Sequence, residues 1–217
     1  MTQDASLDEL RLRLAPAIAD AAAFDGWSDA AVNAAAEVEG VDPALARFAF
    51  AGGAMAMITA WIARVDADMA DALPGVQLSN LSIRERIRRL VQFRLDAIAG
   101  QEEALRRALS IMAMPQNVAA AARLGWSSAD KMWRLAGDTA TDYNHYTKRV
   151  TLGSIYAATL AYLAQDTSEG HADTRAFLDR RIENVMQFEK AKAKALRPRE
   201  DTFSFTRLLG RLRYPAT

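Results

Sequence analysis

Between Gly137 and Leu152 the chain reads GDTATDYNHYTKRVTL, and this stretch holds its densest set of groups able to engage another molecule. Tyr143, Asn144, His145, Tyr146, Lys148 and Arg149 supply two phenols, an amide, an imidazole and two cations within seven residues. Asp142 just ahead of them is a good N-cap residue, so the group falls in the first turns of a helix. Aromatic and arginine side chains dominate binding hot spots because they bury large areas at modest entropic cost. The expected chemistry is therefore gripping a partner through Asp142, Tyr143, His145, Tyr146 and Arg149.

Bond-making chemistry is poorly supplied. The only histidines are His145 and His171, preceded three residues earlier by Asp142 and Ser168. A di-iron carboxylate centre needs two Glu-x-x-His pairs on facing helices, and neither pair exists. With no cysteine there is no thiol nucleophile and no zinc thiolate cluster. The H-E-x-x-H, G-x-S-x-G, P-loop and G-x-G-x-x-G motifs are missing too. The chain is expected to be no enzyme and to carry no metal and no cofactor.

Soft and aromatic side chains crowd the same region. Met112, Met114, Trp126, Met132, Trp133 and Tyr156 suggest an elongated apolar pocket for lipid, since methionine adapts to irregular cavities and aromatics give large contact area.

The elements that must position these groups read as helices throughout, giving an all-α expectation. Ser6 with Glu9 forms a capping box for a helix to about Ala23, with Leu7, Leu10, Leu14 and Ile18 on one face. Ser28 and Asp42-Pro43 cap two short helices, and Gly52-Gly53 precedes a long one from Ala54 to Ala72. Ser82 with Glu85 opens another, its inner face carrying Ile83, Ile87, Leu90, Val91, Leu95 and Ile98, while Arg84, Arg86, Arg88, Arg89 and Arg94 fall mostly on the wet side. Helices over 102–114, 116–135 and from Asp142 to about Ala164 follow, and Asp173 caps a last one reaching Ala195. No apolar run approaches the roughly 18 to 20 residues that span a bilayer.

Charge is unevenly spread although the net is zero. Residues 1–55 hold nine acids and three bases, a net of −6, whereas 190–217 hold eight bases and two acids, a net of +6. After Pro198, Phe205, Leu208, Leu209 and Leu212 form an apolar stripe flanked by Arg207 and Arg211, with Phe203 extending it. A basic amphipathic helix of that length lies in a membrane interface instead of crossing it. The first 25 residues carry five acids and no basic leader, so neither a signal nor a transit peptide is expected.

Helix, turn, short helix, turn, short helix, long helix resembles the N-terminal head of the TetR regulator fold. The chemistry of a DNA reader is lacking, because the third helix offers Ala44, Leu45, Ala46, Arg47, Phe48 and Ala49 within a head of charge −6. The expected organisation is a helix-turn-helix-like head over 1–55 that does not bind nucleic acid, a helical body over 56–195 for lipid binding and dimerisation, and a membrane-association tail over 198–217.

Four segments carry a family resemblance: FDGW at 24–27, LSIRERI at 81–87, GDTATDYNHYTKR at 137–149 and AFLDRRIENVMQFEK at 176–190. Together they resemble the ubiquinone-biosynthesis accessory lipid-binding family, over roughly residues 7–195. That resemblance implies a TetR-like fold without DNA binding, a homodimer, an isoprenoid quinone lipid held in a hydrophobic cavity, and assistance to the di-iron hydroxylase acting on demethoxyubiquinone. It also implies a peripheral place on the membrane: the inner face in a bacterium, or the matrix side of the mitochondrial inner membrane in a eukaryote. The family's motif commonly reads Asn-Trp-Tyr-Thr where this chain has His145 before Tyr146. A TetR-type ligand-responsive regulator is the alternative.

Overall fold

A computed structural model describes residues 6–141 and 143–195, with side chains through Gln187 apart from Met186. Asp142 and the tail residues Phe203, Phe205, Arg207, Leu208, Leu209, Arg211 and Leu212 therefore lie outside the described residues. Two compact units divide the chain after Ile182, and the packing that follows is that of the first. Among the described residues there are ten α-helices and no strand.

The head contains α1 (Leu7–Asp25), α2 (Asp29–Glu39) and α3 (Pro43–Ala49). Ser6 and Glu9 cap α1 reciprocally: the Ser6 N–H donates to Glu9 Oε2 at 2.8 Å, and the Glu9 N–H donates to Ser6 Oγ at 3.3 Å. Leu10, Leu14 and Ile18 recur every four residues and are buried, so one stripe of α1 faces the core. Asp42 caps α3 by accepting from the Ala44 N–H at 2.8 Å. Ser28 does not cap α2; its hydroxyl donates instead to the Asp25 carbonyl at 3.0 Å, closing the preceding turn.

Trp27 fastens the head to the body. It is buried, its Nε1–H donates to the Ala104 carbonyl at 3.0 Å, and its ring lies 5.3 Å from Trp61. The FDGW motif is thus a joint, in which Gly26 holds a positive φ of 70° that reverses the chain before the tryptophan.

The body comprises α4 (Ala54–Ala72), the short α5 (Gly75–Leu78), α6 (Ile83–Asp96), α7 (Glu102–Met112), α8 (Val118–Leu135), α9 (Tyr143–Leu163) and α10 (Ala172–Ala195). Ser82 caps α6 by accepting from the Glu85 N–H, but the reciprocal half of the box is not made, because the Glu85 carboxylate pairs with Arg88 and Arg89. The start of α10 departs further from expectation. Asp173 lies in its first turn and donates its own N–H to Ser168 Oγ. The capping carboxylate is Asp166, which accepts from the N–H and hydroxyl of Ser168 and from the N–H and hydroxyl of Thr174. Desolvation opposes ionisation of Asp166, yet these four donors outweigh it and hold its pKa well below the ordinary carboxylate value.

Two of the four motifs meet in space. From the Leu81–Ile87 motif, Arg86 donates to the carbonyls of Leu81, Ser79 and Ala136, the last at 2.7 Å. A Cβ on Gly137, the first residue of the central motif, would stand 3.1 Å from Arg86 Nη1. One arginine thus ties the start of α6 to the turn after α8.

Candidate functional site

Helices α4, α6, α7, α8 and α9 enclose an apolar cavity of about 220 Å³. Ile58, Trp61 and Val65 come from α4, Leu105, Leu109 and Met112 from α7, and Tyr156 and Leu160 from α9. Two helical glycines, Gly125 of α8 and Gly153 of α9, also line it. A Cβ at Gly125 would meet nothing within 4 Å, and one at Gly153 would come no nearer than 3.9 Å to any neighbour. Each glycine costs about 1 kcal/mol relative to alanine inside a helix. The space exists because side chains are withheld there. Ala157 of the lining is exposed, so the cavity opens beside α9.

Of the six residues expected at this pocket, Met112 and Tyr156 lie in its wall. The other four do not line it. Met132 is fully buried in core packing, and Met114 lies beyond the end of α7 with 43% of its surface exposed. Trp133 turns toward α9, donating from Nε1 to the Lys148 carbonyl at 3.0 Å, and Trp126 sits beside His145 and Tyr146. For the tryptophans the reason is angular: at 100° per residue Trp126 and Trp133 point away from the face of α8 that carries Ala121, Leu124, Gly125 and Ser128, whereas Met132 shares that face one turn beyond Ser128, where the core is filled.

A charged cluster stands at one side of the cavity. Arg94 is a correction to the sequence reading: it belongs to the buried face of α6, 1% exposed, because it stands four residues after Leu90 and three after Val91. Its Nη1 pairs with Asp66 Oδ1, its Nη2 donates to Ser128 Oγ at 3.1 Å, and its guanidinium lies 4.8 Å from the centre of the Tyr156 ring. Lys131 Nζ takes the other Asp66 oxygen at 2.9 Å. Desolvation, and then the charge of Arg94, lower the Lys131 pKa.

A second, open groove of about 710 Å³ runs between α1, α4 and α8 past Ala56, Thr59, Ala60, Ala63, Ala120 and Ser127. Leu124 belongs to both walls and separates groove from cavity.

The central segment divides into a surface and a framework. Tyr143, Tyr146 and Val150 project from α9 with 74%, 60% and 62% of their surface exposed. His145 is half-buried, its Nδ1 2.9 Å from the Ala140 carbonyl, which requires the proton on Nδ1. Arg149 does not belong to that surface. It is 2% exposed, its Nε donating to Asp130 at 2.6 Å and its Nη1 to Asp138 and to the His145 carbonyl, each at 3.0 Å. Arg149 lies six residues after Tyr143, about 120° round the helix, where Asp130 of α8 receives it. Lys148 also pairs with Asp138, at 2.6 Å. Burial works to raise the Asp138 pKa, but the hydrogen bonds from Lys148 and Arg149 overcome it and hold the carboxyl below its usual range.

Sequence reasoning misses Asp66, Gly125 and Gly153 and places Arg94 on the wrong face. A charge in phase with an apolar stripe and a glycine within a helix both violate local rules, and such violations concentrate at functional sites.

In comparison with known proteins, a family model named COQ9 matches residues 118–189. The rat protein named ubiquinone biosynthesis protein COQ9, mitochondrial, is 32% identical over 187 residues, covering 83% of this chain and 60% of its own length. The human protein of the same name is 30% identical, over 83% and 59%. The chain thus spans about three-fifths of the length of these curated relatives. A crystal structure of a TetR transcriptional regulator from Nitrosomonas europaea superposes with a TM-score of 0.65 at 23% identity, covering 82% of this chain and 98% of that one. The fold is the TetR-like all-α bundle expected from the helix pattern, and in sequence the chain is similar to proteins named for ubiquinone biosynthesis, the resemblance that its four motifs carry.

Proposed function

We propose that this chain serves ubiquinone biosynthesis as a non-enzymatic lipid-binding protein, holding the ring end of an isoprenoid quinone intermediate and presenting it to the di-iron demethoxyubiquinone hydroxylase. The observation that carries the reading is the apolar cavity between α4, α6, α7, α8 and α9, opened by Gly125 and Gly153. Exposing apolar surface to water costs about 25 cal/mol per Å², so a prenylated ring leaves a bilayer only where an apolar cavity shields it. A cavity of about 150 Å³ accommodates one benzene in an engineered core of another protein. At about 220 Å³ this one fits a substituted ring with a short stretch of isoprenoid, and the remaining tail leaves past Ala157 or across Leu124 into the groove.

Support for the partner comes from Tyr143, Tyr146 and Val150, an exposed aromatic and aliphatic stripe on one side of α9. The hydroxylase docks on that stripe, the protein works as a homodimer, and the basic tail after Pro198 holds it on the membrane surface. The relatives' names support the pathway. The exposed Leu45 and Phe48 on α3, in place of a cationic face, favour this reading over a DNA-binding regulator.

Mass spectrometry of lipid co-purifying with the protein tests the ligand, and titration with the cognate hydroxylase tests the partner. Prenylated quinone intermediates should be enriched over bulk phospholipid, and Tyr146→Ala should weaken the complex by about 1 to 4 kcal/mol. Phospholipid in membrane proportions, with hydroxylase binding indifferent to Tyr146, would overturn the proposal.

A further inference from the structure

We propose that Arg94 forms a polar subsite in the cavity wall that accepts the carbonyl oxygen of an otherwise apolar ligand, an inference that rests on the cavity reading above. Arg94 is 1% exposed and lines the cavity, and its Nε–H has no acceptor among the described residues. Its other two nitrogens are committed to Asp66 and Ser128. A buried donor without a partner is costly, and an apolar ligand carrying an acceptor oxygen relieves that cost on binding.

The neighbouring charges define the ligand's chemistry. Asp66 gives one oxygen to Arg94 and the other to Lys131, so two cations stand against one carboxylate. The cluster offers a donor and positive potential, which favours an acceptor over a hydroxyl or amine. Tyr156 lies against the guanidinium and Trp61 lines the same cavity, providing aromatic faces for a planar ring. The matching ligand is a planar ring that bears a carbonyl oxygen and, separately, an apolar substituent. The ring enters first and its oxygen accepts from Arg94 Nε.

Three probes separate the possibilities by calorimetric titration of the full chain: 2-hexyl-1,4-benzoquinone, hexylbenzene and decanoate. The chain lacks cysteine, so the quinone meets no thiol to alkylate. Arg94→Lys keeps a cation beside Asp66 but removes the Nε–H, and Arg94→Met with Asp66→Leu removes the buried pair together, a replacement that buried ion pairs often tolerate. Thermal melts establish that each variant is folded. The quinone should bind the wild type more tightly than hexylbenzene, and both variants should lose roughly 10- to 100-fold in quinone affinity while hexylbenzene changes less than about twofold.

Wild-type affinities for quinone and hexylbenzene within twofold would overturn the subsite while leaving the cavity intact. Equal losses for both probes in folded variants would also overturn it, making Arg94 a packing residue. Decanoate binding tighter than the quinone, with the same dependence on Arg94, would support the subsite and overturn the quinone reading of the preceding proposal. Failure of the wild type to bind any probe would overturn both.

Discussion

Replacing Arg149 by alanine separates framework from surface within the central motif. The side chain is 2% exposed and donates to Asp130, to Asp138 and to the His145 carbonyl. Breaking one side of a buried ion pair costs about 3 to 5 kcal/mol, because the surviving charge loses its partner. Here each carboxylate retains a cation: Asp138 keeps Lys148 at 2.6 Å, and Asp130 keeps Arg134 at 2.7 Å. The loss should therefore fall near the lower bound, about 3 kcal/mol. For a chain of this size 1 kcal/mol shifts the melting temperature by about 2 to 4 °C, so Arg149→Ala should lower Tm by roughly 6 to 12 °C. Tyr146→Ala is the control: Tyr146 is 60% exposed, and losing its ring contacts with Trp126 and His145 should cost about 1 kcal/mol. Differential scanning calorimetry of the two variants reads the contrast. An unchanged Tm for Arg149→Ala, together with weakened hydroxylase binding, would refute the assignment of Arg149 to the framework.

Acid stability should follow Asp138 and Asp166, whose pKa values are depressed in the fold. Their contribution is complete above the ordinary carboxylate range and is lost as pH falls through the lower folded values, so Asp166→Asn should be less stable at neutral pH and show a flatter decline below about pH 4 in urea titrations. Trp27→Phe removes the hydrogen bond to Ala104 and leaves part of the indole's space unfilled, and should destabilise by about 1 to 3 kcal/mol in the same urea titrations without altering α-helical circular dichroism. Deleting Thr202–Thr217 should leave the melting curve unchanged and reduce flotation with anionic vesicles, most strongly at low salt.

Much of the fold was legible because its signals are local. Capping at Ser6 and Asp42, the glycine break at Gly53 and the buried periodicity of α1 and α6 all depend on residues within one or two turns. Where the reading failed, the deciding partner was distant in sequence. Asp166 displaced Asp173 as the cap of α10 because the connecting turn folds back, and Arg94 sits in the core because Asp66, 28 residues earlier, and Ser128, 34 later, receive it. Large, soft side chains do not mark the cavity, since Met132 and Trp133 pack elsewhere. Its own signature is subtractive, two glycines within helices, and becomes legible only when α8 and α9 are laid side by side.

Gly125→Leu tests the central claim most directly, because it fills the cavity with a better helix former. A Cβ there meets nothing within 4 Å, and replacing a helical glycine recovers about 1 kcal/mol of helix propensity, so the variant should melt at or above the wild-type temperature. If the cavity holds the quinone ring, the purified variant should carry at least tenfold less prenylated quinone by mass spectrometry than the wild type. Quinone retained at the wild-type level in a folded Gly125→Leu protein would contradict the account.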